Sequence, residues 1–197
     1  MANGVVEAFS LSHAQVLDGT QTFLEALTAP GGVAEWLDIY GVNEASLEPD
    51  TDDYDNEGDD VVLSNWAWLN FADLTVQAGY FSFPLVASLT NRPVSSTGGA
   101  NPTEFGIDLW HEDSFNVAPK PVLLAMPSKD KRGVPGRLYF GLYRAQFKPI
   151  TFDGPAYKDG LKVNYDAKAL YSEVDEKGVA FPDGKKRIGR VLWRQTA

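Results

Sequence analysis

VLSNWAWLNFADLTVQ, residues 62–77, decides the fold class. Leu63, Asn65, Ala67, Leu69 and Phe71 alternate with Ser64, Trp66, Trp68 and Asn70. A period of two reads as an extended strand, because successive side chains on a strand point to opposite faces. Shorter segments on both sides repeat the signal. VVEAF (5–9) and VAEWLDIY (33–40) alternate in part. EFGIDLW (104–110) sets Phe105, Ile107 and Leu109 against Glu104 and Asp108. PVLLAM (121–126) and RLYFGLYRAQF (137–147) flank the turn-rich, basic KDKRGVPG, which predicts a hairpin. LKVNYDAKALY (161–171) and RIGRVLW (187–193) complete the strands.

One stretch reads as a helix. Ser82 is a candidate N-cap before FPLVASLT, with Pro84 in the first turn and Leu85, Val86 and Leu89 on one face. Asn91 and Pro93 end it. HAQVLDGTQTFLEAL (13–27) stays open between two strands and a helical turn. Turns are expected at Pro30-Gly31-Gly32, Gly98-Gly99, Asp153-Gly154-Pro155, Asp159-Gly160 and Asp183-Gly184. Many short strands with few helices predict a mainly β protein, a β-sandwich or partly closed barrel with one flanking α-helix. No linker divides the chain, so residues 1–197 are read as a single domain, large enough to bury roughly 70% of its unfolded surface.

The stretch just before that long strand is of another kind. EPDTDDYDNEGDD, residues 48–60, carries eight carboxylates in thirteen positions: Glu48, Asp50, Asp52, Asp53, Asp55, Glu57, Asp59 and Asp60. Its apolar content is too small to offset ordering, so residues from about 42 to 60 are expected as a long acidic loop. The charge is also lopsided along the whole chain. Residues 1–91 hold fifteen acids and no Lys or Arg; residues 92–197 hold twelve acids and all seventeen Lys and Arg. Either the halves neutralise each other within one molecule, or acidic and basic surfaces pair between copies. A contact between unlike patches is heterologous and builds rings or filaments.

Known chemical motifs fail in turn. With no cysteine there is neither a disulfide nor a thiolate nucleophile or ligand. No run of eighteen apolar residues offers a membrane span, and MANGVVEAFSLSHAQVL lacks the basic and apolar regions of a secretory signal. An EF-hand register from Asp53 matches at Asp55, Glu57 and Gly58. It breaks at Val61 and at Ser64, where a bidentate Glu belongs. His13 and His111 are the two histidines, and in His111-Glu112-Asp113 neighbouring strand residues face opposite ways. Nothing fixes two carboxylates across a cleft as a glycosidase needs. GVAFPDGKK (178–186) has the wrong spacing for a phosphate loop, and Lys186 stands where Ser or Thr should be. The reading is therefore non-enzymatic, with no catalytic, cofactor or metal residues. Lys129, Lys131, Arg132 and Arg137 form a basic cluster at the predicted hairpin; the net charge of −10 disfavours nucleic acid as its target. The rival function is a secreted, Ca²⁺-dependent carbohydrate-binding β-sandwich, with Trp66 or Trp68 stacking sugars.

Several stretches resemble a known family. NVAPKPVLLAMPSKD (116–130), LYRAQFKPITFDGPAYKDGLKVNYDAKAL (142–170), KKRIGRVLW (185–193) and DNEGDDVVLSNWAWLNFADLTVQAGYFSF (55–83) are similar to the major tail subunit, or tail tube protein, of long-tailed actinobacteriophages (siphophages). The resemblance covers most of the chain and is weakest before residue 33. It implies a virion structural protein, made in the host cytoplasm, whose homohexameric rings stack into a hollow tail tube. The phage genome passes through that tube without specific binding. The implied partners are copies of the protein itself and other tail proteins at the tube ends, with no membrane. Loops of one ring reach the next in such tubes. The acidic residues 48–60 are accordingly expected to meet Lys129, Lys131, Arg132 and Arg137 of another copy, and some acids of residues 1–91 to face the lumen.

Overall fold

The computed structural model of the protein describes residues 6–8, 13–17, 23, 36–58, 61–97, 104–110, 117–156 and 160–195. Its strands are β1 (Val6–Ala8), β2 (His13–Leu17), β3 (Trp36–Ile39), β4 (Val42–Gly58) and β5 (Val61–Ala78). The helix α1 (Phe83–Thr90) follows, then β6 (Ser95–Thr97), β7 (Glu104–Gly106), β8 (Lys120–Asp130) and β9 (Pro135–Phe147). The chain continues through β10 (Thr151–Ala156) and β11 (Gly160–Ala169) to β12 (Gly189–Gln195). Ten strands make one sheet along the path β3-β2-β8-β9-β11-β5-β4. β1 joins β8, β10 joins β11 and β12 joins β9, while β6 and β7 form a separate pair. Among the described residues the path does not close into a barrel, and β3 and β4 stand at its ends. This is the mainly β architecture that the alternating segments predict.

β9 is where the sheet divides. Its residues 136–142 pair with β12, whereas 145–147 pair with β11, so two strands share one side of β9 and diverge. The main core lies between the resulting layers. β5 supplies Ala72, Leu74, Val76 and Ala78, and β11 supplies Val163, Tyr165, Ala167 and Ala169, all buried. Ala14 and Val16 of β2, Val122 and Leu124 of β8, and Leu142 and Ala145 of β9 belong to the same cluster. Each such Leu or Val, fully buried, contributes about 1.5–3 kcal/mol.

The other face of β8–β9 is also covered. Leu123, Ala125, Tyr139 and Tyr143 pack with Phe23 and Phe181. That explains why Val122–Ala125 is continuously apolar: both faces of the strand are buried. Gly141 admits the Phe23 ring, since a Cβ there would lie 2.5 Å from ring carbon Cε2.

α1 forms where predicted, with Leu85, Val86, Leu89 and Thr90 buried. Ser82 stands at the N-cap but makes no side-chain cap bond; Asn91 ends the helix in the left-handed conformation at φ 54°. The open stretch at 13–27 begins as strand β2. The strand expected over 104–110 is confined to Glu104–Gly106, although Ile107 and Leu109 still pack on the core. Asp153-Gly154-Pro155, expected as a turn, lies inside β10 at a register shift between Asp153 and Ala156. Gly and Pro there serve a bulge. Asp183-Gly184 is a turn as expected, with Gly184 at φ 65°. The turns at 30–32 and 98–99, and Asp159, lie outside the described residues.

The largest correction concerns residues 42–60. The expected loop is instead strand β4, paired with β5 from Val42↔Ala78 to Gly58↔Val61 with three register shifts. Acidic residues have low strand propensity, but that propensity is weak beside a long apolar strand offering a complete backbone ladder. Asp59 and Asp60, at the connection, lie outside the described residues.

Candidate inter-subunit surface

The β4–β5 hairpin outruns the sheet that holds it. β11 pairs with β5 only over Ala72–Ala78. Past Ala72, β4 and β5 have only each other as strand partners among the described residues. Residues Thr51–Gly58 and Val61–Leu69 therefore form a two-stranded arm, roughly 25 Å long at the usual rise per residue. A bulge marks its root. Asp50 pairs with Phe71 and Thr51 with Leu69, skipping Asn70, whose side-chain amide donates to Asp50 Oδ2 at 3.4 Å. The Tyr171 hydroxyl donates to the Leu69 carbonyl at 2.8 Å.

This bulge overturns one detail of the alternation. Leu69 and Phe71 were expected on one face. Instead Leu69 shares an apolar cleft with Ala72, while Phe71 lies under the Lys168 ammonium at 4.0 Å on the opposite, polar face. A one-residue insertion inverts every position beyond it.

Chemically the arm is two unlike strands. β4 holds Glu44, Glu48, Asp50, Asp52, Asp53, Asp55 and Glu57 and no cation. Its neighbour from Val61 to Phe71 carries no charge at all and includes Trp66 and Trp68. Register sets Trp68 opposite Asp52 and Trp66 opposite Tyr54. Glu48 and Asp50, in the body, are exposed.

The basic residues are held differently. Lys129, Lys131, Arg132 and Arg137 are all exposed on or beside the β8–β9 hairpin. Asp130 organises that turn: its Oδ1 accepts from the Arg132 and Val134 backbone N–H groups at 2.8 and 2.9 Å, and its Oδ2 from Arg132 Nε at 3.0 Å. Those contacts, the Val134 N–H first, hold the Asp130 carboxyl below its ordinary pKa. Register places Glu7 opposite Lys129. Arg132 thus has an acid of its own chain close by.

A second basic group emerges that the cluster at 129–137 does not reveal. Arg137 on β9 stands opposite Arg194 on β12, and Arg190 shares the face of Arg194, four residues along the strand. All three are exposed. Arg190 and Arg194 form no salt bridge with another described residue. The sequence did contain the signal. Lys185, Lys186, Arg187, Arg190 and Arg194 fall in ten residues, with no acid after Asp183.

Beside β12 opens an apolar cleft of about 250 Å³, lined by Leu47, Leu69, Phe140, Leu142, Ile188 and Val191 among others. Its walls come from β4, β5, β9 and the chain at the start of β12. Val191 at its rim is 59% exposed.

The charged halves of the chain meet through Lys148–Asp73, at 3.3 Å. Arg132, Lys186 and Arg187 instead bridge acids of their own half, Asp130, Glu173 and Asp183. The outer face of β4, β5 and β11 remains acid-rich: its cross-strand rows read Glu44, Gln77, Asn164, then Ser46, Thr75, Asp166, then Glu48, Asp73, Lys168. His111, Glu112 and Asp113 lie outside the described residues. Among the described residues no group of three potential ligands could hold a metal.

No protein-family model matches the chain. No curated protein matches it either. Among solved structures, one similar chain belongs to the six-fold symmetrised cryo-EM structure of the anti-feeding prophage (AFP) baseplate. The TM-score is 0.44 at 10% identity, over 94% of this chain and 95% of that one.

Proposed function

We propose that the protein is a virion structural protein, the tail tube subunit of a long-tailed phage, whose six-membered rings stack into a conduit for DNA. The observation that carries this reading is the arm. A two-stranded ribbon is marginal in water on its own, and this one pairs the nine uncharged residues of Val61–Leu69 with a run of like charges. Its stability is completed by a surface outside the chain's own sheet. The four segments that resemble tail tube proteins include the arm from Asp55 onward, β8, the chain from Leu142 of β9 through β11, and β12 as far as Trp193.

The acid-rich outer face of β4, β5 and β11 suits a lumen. Glu44, Glu48, Asp73 and Asp166 share it with Lys168, and Lys148 reaches Asp73. Carboxylates facing a phosphate backbone deny it the Lys and Arg contacts that retain DNA. Each exposed ion pair between copies contributes about 0.2–1 kcal/mol, so charge mainly sets partner and register while buried apolar area holds the ring together. Negative-stain micrographs of purified protein at high concentration test the reading. Six-fold rings or filaments are expected; single chains throughout, together with calorimetric heat on adding Ca²⁺ and oligosaccharides, would replace it with the sugar-binding alternative.

A further inference from the structure

We propose that Trp110, together with Phe105, anchors a head-to-tail contact by seating in the apolar cleft of a second copy of the chain. The proposal rests on the self-assembling reading above and names the two surfaces that meet.

Trp110 is held out from the protein. It is 61% exposed, and its backbone stands at φ 54°, a left-handed conformation that a bulky residue rarely adopts. Two contacts keep it there. The indole Nε1 donates to the Ile150 carbonyl at 2.9 Å, and the Phe152 ring meets it edge-on with centroids 6.0 Å apart. From Phe152 the ring contacts run through Phe81 and Phe83 to Phe105, at 5.8, 5.0 and 5.7 Å. Phe105, at the far end of the row, is 52% exposed. The row therefore opens to solvent at both ends. Backbone strain kept at an exposed aromatic residue points to a binding role, and a preorganised Trp loses little freedom when a partner covers it.

The cleft is the matching hollow. Leu47, Leu69, Phe140, Leu142 and Val191 line it, and its volume of about 250 Å³ lies below the roughly 300–1,000 Å³ that takes a drug-sized ligand. Arg190, the one charged residue along it, stands opposite Gly141 and so belongs to the face that Phe23 covers. A hollow of this size, without convergent polar groups, suits one or two apolar side chains.

The two surfaces lie at opposite ends of one molecule. Phe152, against the indole, pairs with Val163, and Val163 with Ala78; the cleft begins at Ala72, opposite Ala169. Six residues of strand, roughly 20 Å, separate the two rows. A chain cannot put its own Trp110 into its own cleft, so the contact joins two copies. Because the surfaces differ, the contact repeats, each added copy offering the next a cleft or a Trp110. Charge supports the same orientation. Glu104 and Asp108, beside the two aromatic residues, are exposed. Arg144, also exposed, donates to the Tyr171 carbonyl at 3.3 Å, and the Tyr171 hydroxyl donates to the Leu69 carbonyl at the cleft wall. Acids then approach a cation, whereas two aromatic rows set face to face would oppose acid to acid.

The test uses the full chain. Val191, on the exposed rim of the cleft, is replaced by photo-reactive p-benzoyl-phenylalanine in isotopically light protein. This is mixed with an excess of heavy parent, assembled, irradiated and digested. Light–heavy cross-links into residues 104–110 are expected. Tubes in the micrographs with light–heavy cross-links only elsewhere, or with none, overturn the docking and leave the tube reading intact. Parent protein that stays as single chains overturns both. In parallel, Trp110→Ala should raise the concentration needed for assembly roughly ten-fold or more, and Trp110→Phe, which keeps an apolar ring, should recover most of the loss. Val191→Glu, a change at an exposed position, should give a defect of the same order with the urea midpoint of the single chain unchanged. Either Trp110→Ala or Val191→Glu, folded as the parent is and assembling at the parent's concentration, refutes the contact.

Discussion

Arg137 and Arg194 face each other directly across the β9–β12 ladder, both exposed. Like charges at that position destabilise a strand pair by roughly 0.2–1 kcal/mol. Arg194→Gln should therefore raise the denaturation midpoint of the unassembled chain slightly. Added salt should stabilise the parent more than the variant, because screening removes a repulsion only the parent has. In an assembly that uses Arg194, the same substitution weakens association. A variant that stabilises the chain and also improves assembly would show that the arginine pair has no binding role.

Gly141 and Phe23 give a sharper test of the fold. A methyl group at residue 141 would lie 2.5–2.8 Å from three Phe23 ring carbons, and that ring is 1% exposed. Overpacking of this kind costs about 1–3 kcal/mol. Gly141→Ala should lower stability by that amount in a urea titration. Pairing it with Phe23→Leu should recover part of the loss, since the smaller side chain makes room. Equal stability of Gly141→Ala and parent would mean that Phe23 does not cover β9.

The strands with alternating or doubly buried apolar residues were legible from sequence because burial on a sheet leaves a period of two or an unbroken run. β5, β8, β9, β11 and β12 are of this kind. β4 was not legible, for a physical reason. Its residues beyond Asp50 gain their order from β5 and not from their own apolar area, so composition pointed to a loop. The bulge at Asn70 was equally hidden: nothing in WLNFAD distinguishes an inserted residue from a regular one. The basic hairpin was visible as a cluster, and within it Asp130 pairs with Arg132. Arg190 and Arg194 gained meaning only once β12 was placed beside Arg137, a relation that sequence distance conceals.

The arm's attachment can be loosened at a single atom. The Tyr171 hydroxyl, on a side chain 37% exposed in the chain as a whole, donates to the Leu69 carbonyl at 2.8 Å where the arm leaves the sheet. A net hydrogen bond contributes about 0.5–1.5 kcal/mol, toward the lower end when water can substitute. Tyr171→Phe should speed hydrogen exchange of amides in 51–69 several-fold while leaving those of β8 and β11 unchanged. Uniform acceleration across the protein would place Tyr171 in the global stability instead of at the arm's hinge.

The turn between β8 and β9 predicts a pH dependence with a definite sign. Asp130 is held below its ordinary pKa of 3.8 by the Val134 N–H first, then by the Arg132 side chain and backbone N–H. In the unfolded chain the carboxyl titrates near its ordinary value, about 3.9. A depressed folded pKa means that the unfolded state binds the proton more readily. The stabilisation is therefore complete above about pH 4–5 and is lost as pH falls through the lower, folded value. Asp130→Asn keeps an oxygen for the two backbone N–H groups but loses the charged contact with Arg132. The parent should exceed this variant in stability by a constant margin from pH 7 down to about 5, and the margin should shrink below pH 4. Urea midpoints of both chains at each pH measure it, with the Asp130 carboxyl carbon followed by NMR. A margin that stays level through pH 3, or an Asp130 that titrates above 4, would show that the turn does not hold the carboxylate in its charged form.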